Sequence, residues 1–359
     1  MPSSPKPGLF GIKNSNRDFT QGESWGKNQF NSSFPASLAS YLNSQKLENV
    51  YLKLDKDLNI SHSKISTTDL YGIDPNSEDL FFAFENQYTP FQQFVIGSLP
   101  RTDLVIQNKK TNTSLRGLEV KLTALPDNST CELAEEKYSC EIVVRPDTIV
   151  YLSASIALLY KNNIKELKDL IYSDFEKITD WTEIGNIIEH IPLMVTKLDE
   201  IAKNKLDEQS PLVMQPIWKT KGKSPVLHDN CLDVFIWSNF AFVQLFVNVA
   251  RVEFDTSKSK ISRQVRSIVW LFKMLYDFSN DGQFNHNKII DGMSYGTKND
   301  KAFAMSGIGT HTYLNSPELL KPRITKDKIK EIILGGGQKL LSPERRFDAI
   351  IYNSPELFE

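Results

Sequence analysis

Asp103, Glu119 and Lys121 are side chains of the types that hydrolysis of a phosphodiester requires, and they fall in one short stretch of the chain. Glu119 and Lys121 sit two apart in GLEVKL, which reads as a β-strand, so both leave the same face of a sheet. Asp103 lies in a second strand-like run, TDLVIQ, and an antiparallel hairpin between the two runs brings it beside them. Two carboxylates with the backbone carbonyl of Val120 make a hard-oxygen set that magnesium accepts, leaving positions for water and a phosphate oxygen. A cation held there acidifies water and neutralises developing charge, while the Lys121 ammonium steadies the incipient hydroxide. Glutamine at 119 would leave the ion under-compensated, and leucine at 121 would remove the group that orients the nucleophile. An ExK triplet is a weak signal alone, because on a solvent-facing hairpin edge Arg116, Glu119 and Lys121 read equally as surface charges. Its context strengthens it: these charges interrupt an apolar strand, where burial without partners is costly.

The elements that must position these residues are legible around them. Thr102–Gln107 and Leu115–Leu122 are strands joined by the polar turn Asn108–Thr113. Cys140–Val144 predicts a third strand, stopped at Arg145-Pro146-Asp147, and Thr148–Tyr160 predicts a helix of small and apolar residues. Upstream, Pro35 opens a predicted helix through about Asn43. Asn49–Leu54 and Ile60–Ile65 form a strand pair, and the apolar run Asp79–Phe84 is undecided by periodicity. Downstream, Ile164–Ile178, Trp181–Ala202, Cys231–Val252 and Ile261–Phe278 carry apolar stripes and read as helices. Between them Lys203–Asp229, with Pro211, Pro216 and Pro225, reads as a loop or extended connection. Asp327–Leu334 reads as a helix stopped by Gly335–Gly337, with a final strand near Phe347–Tyr352. The fold class expected is α/β, a mixed β-sheet flanked by helices with helical elaborations. The division expected is an N-terminal arm (1–34), a catalytic core (35–165) and a mainly helical region for DNA recognition and dimerisation (166–359) packed on the core.

Composition narrows the class. With 359 residues, 40% hydrophobic and 24% charged, the chain can bury a large core without staples. The apolar-rich stretch Cys231–Ala250 is interrupted by Asp233, Asn239, Gln244 and Asn248, and no basic-then-apolar leader opens the sequence. The expectation is therefore a cytoplasmic protein without a membrane span. Cys131, Cys140 and Cys231 fit neither a disulfide framework nor a zinc site and read as reduced thiols. A formal net charge of −2 does not announce a nucleic-acid partner, although phosphate attraction depends on local charge.

Longer motifs add a resemblance. LFGIKNSNRDF (Leu9–Phe19), WGKNQFNSSFP (Trp25–Pro35), TDLVIQ, GLEVKLTALPD (Gly117–Asp127) and EIVVRPDTIVYL (Glu141–Leu152) resemble the PD-(D/E)XK superfamily, and within it the HindVP/HgiDI family of type II restriction endonucleases. Thr102 precedes Asp103 where the superfamily motif has proline. The resemblance implies a restriction-endonuclease-like core with Asp103, Glu119 and Lys121 as catalytic residues. It also implies Mg2+ as cofactor and cleavage of unmodified double-stranded DNA at the palindrome GRCGYC by a homodimer. A partner DNA methyltransferase would protect the host. Such folds often bring a further acid to the metal, for which Glu85 and Glu78 are candidates, each also readable as a solvated charge.

For DNA binding the candidates are Lys258, Lys260, Arg263 and Arg266, on or before the helix Ile261–Phe278, and Lys219, Lys221 and Lys223 in the proline-containing connection. Arg263 and Arg266 are three apart, on the face away from Val265, Ile268 and Phe272, which suits phosphate or guanine contacts as well as a solvated face. Gln29 and Asn31 could contact DNA or cap turns. His286 between two asparagines lacks the second histidine of an HNH nuclease, GGGQK (Gly335–Lys339) lacks the phosphate-loop frame, and Ser306–Gly309 lacks a nucleophile-elbow context. Two rivals stay open. A repair or recombination nuclease of the same superfamily would bind unrelated duplexes alike instead of giving discrete fragments. A non-catalytic DNA- or protein-binding module would be indifferent to divalent metal.

Overall fold

The computed structural model describes residues 11–17, 27–44, 46, 48–54, 60–122, 142–205, 212–216, 219–221, 224–226, 232–236, 246–247, 261–296 and 303–305. In chain order the first elements are α1 (Lys27–Ser44), β1 (Asn49–Leu54), β2 (Ile60–Ile65), α2 (Thr67–Tyr71), β3 (Leu80–Asn86), β4 (Thr102–Asn108) and β5 (Thr113–Leu122). There follow β6 (Ile142–Val144), α3 (Pro146–Tyr160), α4 (Ile164–Ile171), α5 (Ile191–Asn204) and β7 (Leu212–Pro216). The chain continues with β8 (Lys219–Lys221), β9 (Ser224–Val226), β10 (Leu232–Ile236), α6 (Arg263–Asp281), α7 (His286–Gly292) and β11 (Phe303–Met305). No helix among the described residues is long and apolar enough to cross a membrane.

Seven strands form the main sheet in the order β2-β1-β7-β10-β5-β4-β3. All of its described ladders are antiparallel, where a mixed sheet was expected. The hairpin of β4 and β5 has the register Leu104↔Leu118 and Val105↔Gly117. Within the span expected to be the helix Cys231–Val252, residues 232–236 instead form β10, an interior strand between β5 and β7. Interior strands of a helix-covered sheet are apolar on both faces, so the alternation that marks a strand is lost. The main sheet therefore draws β7 and β10 from the region expected to be mainly helical.

The undecided run Asp79–Phe84 falls largely within strand β3. Helix α1 begins eight residues before Pro35, which lies inside it. A proline inside a helix costs a backbone bond, and here the packing of small residues offsets that loss: Ala36, Ser37, Ala39 and Leu42 are all buried. The span Ile164–Ile178 is helical only to Ile171, and Trp181–Ala202 opens with two short 3-10 turns before α5.

Two cores lie beside the β4–β5 hairpin. Phe82, Phe84, Leu104, Ile106 and Leu118 are buried on one side, where Tyr71 of α2 meets Phe82 edge-on at 5.7 Å. The Tyr71 hydroxyl donates to the Ala36 carbonyl, tying α2 to α1. The second core is helical: α3, α4 and α5 pack on α6, whose Trp270, Phe272 and Phe278 are buried. Helix α3 is buried almost all round, as an apolar central helix must be.

Candidate active site

Strand register assembles the predicted residues. Extending the pair Leu104↔Leu118 by one residue sets Asp103 opposite Glu119, on the same side of the pleat as Val105 and Gly117. Position 121 follows two residues on in β5, on that side of the strand, and pairs with Val234 of β10, while Glu119 pairs with Ile236. On the outer side, β3 pairs Phe84 with Leu104 and Asn86 with Thr102, so Glu85 comes level with Asp103. Glu85, Asp103 and Glu119 thus stand in one line across three adjacent strands.

Asp103 and Glu119 are half-buried, each with further electrostatic or hydrogen-bond partners, and Glu85 is exposed. Glu78 is also exposed and precedes β3. Among the described residues no group of three His, Cys, Asp or Glu side chains is arranged to hold a metal ion. The line of acids therefore offers a pair of carboxylates, Asp103 and Glu119. The third, Glu85, faces a cation, with Arg17 Nη2 at 3.6 Å from its Oε1.

The residues that frame this line escaped the sequence reading. The buried hydroxyl of Thr102 donates to the Leu118 carbonyl at 2.8 Å and lies 3.2 Å from Glu119 Oε2, so it ties β4 to β5 and addresses one of the acids. Gly117 leaves room for the Tyr88 ring; a Cβ there would lie 3.2 Å from Tyr88 Cγ. Tyr88 stacks edge-on with Phe91 at 4.8 Å, and Phe91 leans on Tyr151 of α3. The Tyr151 hydroxyl donates to the Pro100 carbonyl at 2.7 Å and accepts from the Tyr88 amide at 3.3 Å. It pins the loop before β4 to the central helix. Burial pushes its phenol well above the ordinary value, and the Glu119 and Asp147 carboxylates act in the same direction, so it stays a neutral donor.

A profile of the family described as HindVP restriction endonuclease matches residues 25–358. The chain is 46% identical over 354 residues to the type II restriction enzyme HgiDI of Herpetosiphon aurantiacus, covering 99% of this chain and 98% of that protein. It is 45% identical over 353 residues to the probable type II restriction enzyme HindVP of Haemophilus influenzae, covering 98% of this chain and 95% of that one. The chain belongs to the HindVP restriction endonuclease family. No solved structure matches it.

In this HindVP-family chain the sequence-predicted DNA contacts fare differently from one another. Arg263 begins α6, half-buried. Arg266, expected on a polar face, is 1% exposed, with its guanidinium carbon 4.4 Å from the Trp270 ring centroid. The apolar stripe of α6 wraps wide enough to enclose it, because α3, α4 and α5 all pack on this helix. Burial brings the Arg266 guanidinium down to about 10, with Arg263 adding to the fall. It is a core cation stacked on an indole, which removes it from the groove-facing set. Lys219 and Lys221 lie on β8, which pairs with β9 in a separate two-stranded ladder, within the stretch expected to be a loop or extended connection. Lys223, Lys258 and Lys260 lie outside the described residues, as do the tail elements expected at 327–352 and the segments Ser306–Gly309 and Gly335–Lys339. Gln29 and Asn31 fall within α1 rather than in a turn.

Proposed function

We propose that this chain is a magnesium-dependent type II restriction endonuclease with a PD-(D/E)XK core, its centre formed by Asp103, Glu119, the Val120 carbonyl and Lys121. The observation that carries this reading is the register that sets Asp103 opposite Glu119 with position 121 two residues along the same strand. The donors fit the ion: two carboxylates and a carbonyl are hard oxygens of the kind magnesium accepts. Bound magnesium supplies Lewis acidity and charge neutralisation at the scissile phosphate. Asp103 and Glu119 would hold the cation between adjacent strands, with the Thr102 hydroxyl 3.2 Å from Glu119 Oε2 orienting that carboxylate. Lys121 would donate a hydrogen bond to the attacking water and steady the developing hydroxide. The new P–O bond forms in line as the P–O3′ bond breaks, and the water gives up a proton. The 3′-oxygen leaves as a hydroxyl after taking a proton from solvent, so that the 5′ end keeps the phosphate. Glu85, turned toward Arg17, is left outside the ligand set.

The substrate of this reading is double-stranded DNA cut at a short palindrome, GRCGYC by the family resemblance. A palindrome calls for a two-fold homodimer that offers the same contacts to both half-sites. A methyltransferase of the same system marks the host's own sites. The catalytic centre belongs to residues 35–165, with residues 1–34 as an arm whose last eight residues already form the start of α1, and residues 166–359 carry DNA-reading and dimer contacts besides the strands lent to the sheet. The test is digestion of an unmethylated plasmid by wild type, Asp103→Ala and Lys121→Ala, with magnesium and with EDTA. Discrete magnesium-dependent fragments lost in both variants support the reading. Full activity in either variant, or none in wild type on several DNAs, refutes it.

A further inference from the structure

The described arm, residues 11–17, runs alongside the outer edge of β3 and ends at the line of acids. Ser15 bridges Phe82 in parallel, and the Phe82 amide donates to the Asn14 carbonyl at 2.9 Å. Asn16 clamps Phe84 from both sides, accepting from its amide at 2.8 Å and donating to its carbonyl at 2.9 Å. These bonds deliver Arg17 to a fixed place. Its side chain is 10% exposed, with Nη1 donating to Ser33 Oγ at 2.6 Å and its guanidinium carbon 4.1 Å from the Phe84 ring centroid. Nη2 faces Glu85 at 3.6 Å, and the guanidinium is coupled electrostatically to Asp103 as well. Glu85 itself has φ +48, a left-handed conformation that is unfavourable for a residue with a Cβ and persists when its surroundings hold it. Strand β3 thus tolerates strain at the one residue level with Asp103.

We infer that Arg17 is a positioning residue of the acidic line. It holds Glu85 in its strained place beside Asp103, and it supplies the positive charge that lets three carboxylates share one line before a divalent cation arrives. Because that charge also opposes the incoming cation, Arg17 sets how much metal the centre needs. The second part rests on the metal centre proposed above, whereas the first stands on the arm's own contacts.

The experiment uses the full chain without DNA and compares wild type with Arg17→Met, Arg17→Lys, Glu85→Gln and the double variant Arg17→Met/Glu85→Gln. Two quantities are read, Mg2+ binding by titration calorimetry and melting temperature in EDTA. Removing one positive charge near a dication tightens Mg2+ binding in Arg17→Met by about three- to tenfold, the order expected for solvent-screened charges. Glu85→Gln weakens binding by a similar factor, the double variant returns close to wild type, and Arg17→Lys stays near wild type. In EDTA, Arg17→Met melts lower than wild type, and adding Glu85→Gln recovers part of the loss. An Arg17→Met variant with unchanged Mg2+ affinity, destabilised equally with and without metal, would overturn the inference and leave Arg17 an anchor of the arm. If wild type shows no Mg2+ binding, or if Asp103→Asn leaves it intact, the metal centre fails instead. The EDTA melts then decide Arg17's hold on Glu85 alone, since a loss that Glu85→Gln does not relieve refutes it.

Discussion

Thr102→Val isolates one oxygen atom of the candidate centre. Valine matches threonine in shape, so the substitution removes the hydroxyl and little else. Thr102 is 2% exposed, and the single hydrogen of its hydroxyl is shared between two acceptors on β5, the Leu118 carbonyl at 2.8 Å and Glu119 Oε2 at 3.2 Å. The Leu118 residue is buried, so its carbonyl loses a donor that water cannot readily replace. Leaving a buried acceptor short of a partner costs about 1–3 kcal/mol of stability. Glu119 is half-buried, so water takes up part of its loss and about 1 kcal/mol of orienting free energy is forfeited. At about 1.4 kcal/mol per decade of rate, that is roughly a fivefold fall in single-turnover cleavage. Urea unfolding gives the stability change, and single-turnover digestion of a short duplex with saturating enzyme gives the rate. Thr102→Ser, which keeps the hydroxyl, is expected to retain most of the rate. Wild-type stability and rate in Thr102→Val would refute the argument that this hydroxyl orients Glu119.

Further outcomes follow from other parts of the molecule. Asp103→Asn, Glu119→Gln and Lys121→Met should each lower magnesium-dependent cleavage by about a thousandfold or more while DNA retention in a mobility-shift assay with Ca2+ persists in Lys121→Met. Arg263→Ala should reduce the slope of log affinity against log salt by about one, as a phosphate contact does, whereas Arg266→Met should leave that slope unchanged because Arg266 is enclosed. His286 is 5% exposed, its Nδ1 has no hydrogen-bond partner among the described residues, and burial holds its pKa below the ordinary 6.5 against the pull of Asp147 and Asp291. The folded state thus binds fewer protons than the unfolded one, so stability should be lost as pH falls through about 6.5 toward the folded value. Melting curves of His286→Asn should show a flatter dependence over that window. Gly11 has φ +72, and a Cβ on it would lie 2.2 Å from Ser40 Cβ, so Gly11→Ala should lift the arm from α1 and shift Mg2+ affinity in the direction of Arg17→Met.

The hairpin was legible because it combines β-branched alternation with a polar turn; the observed strands differ from those read by one residue at the end of β4 and two at the start of β5. The acids stood out as candidates because charge inside an apolar strand is costly without a partner. Thr102 looked like a simple departure from a proline motif, yet a proline has no hydroxyl to offer Glu119. Arg17 carried no signal of its own, since its role comes from contacts with Glu85 far along the chain. What hints at it is the pattern around it: Asn14, Ser15 and Asn16 are short polar residues suited to hydrogen-bonding a neighbouring backbone. Arg266 was misjudged because three-residue spacing fixes a helix face but not how many helices will cover it. Strand β10 was hidden by the apolar character of its surroundings, since Cys231–Val252 is apolar enough to suit either element.

The place of β10 in the sheet also sets an order of assembly. Residue 122 ends the strand carrying Glu119, but that strand's second neighbour is residues 232–236, so more than a hundred further residues must be made before the pairing Glu119↔Ile236 can close. A nascent chain emerging N-terminus first therefore holds the acids on a hairpin whose far side is still an open edge. Loop closure over such a span is slow compared with hairpin formation. For a member of a restriction endonuclease family, the strand carrying Glu119 is completed only when most of the chain has left the ribosome, and an interrupted synthesis ending before residue 232 yields a fragment without that strand's partner.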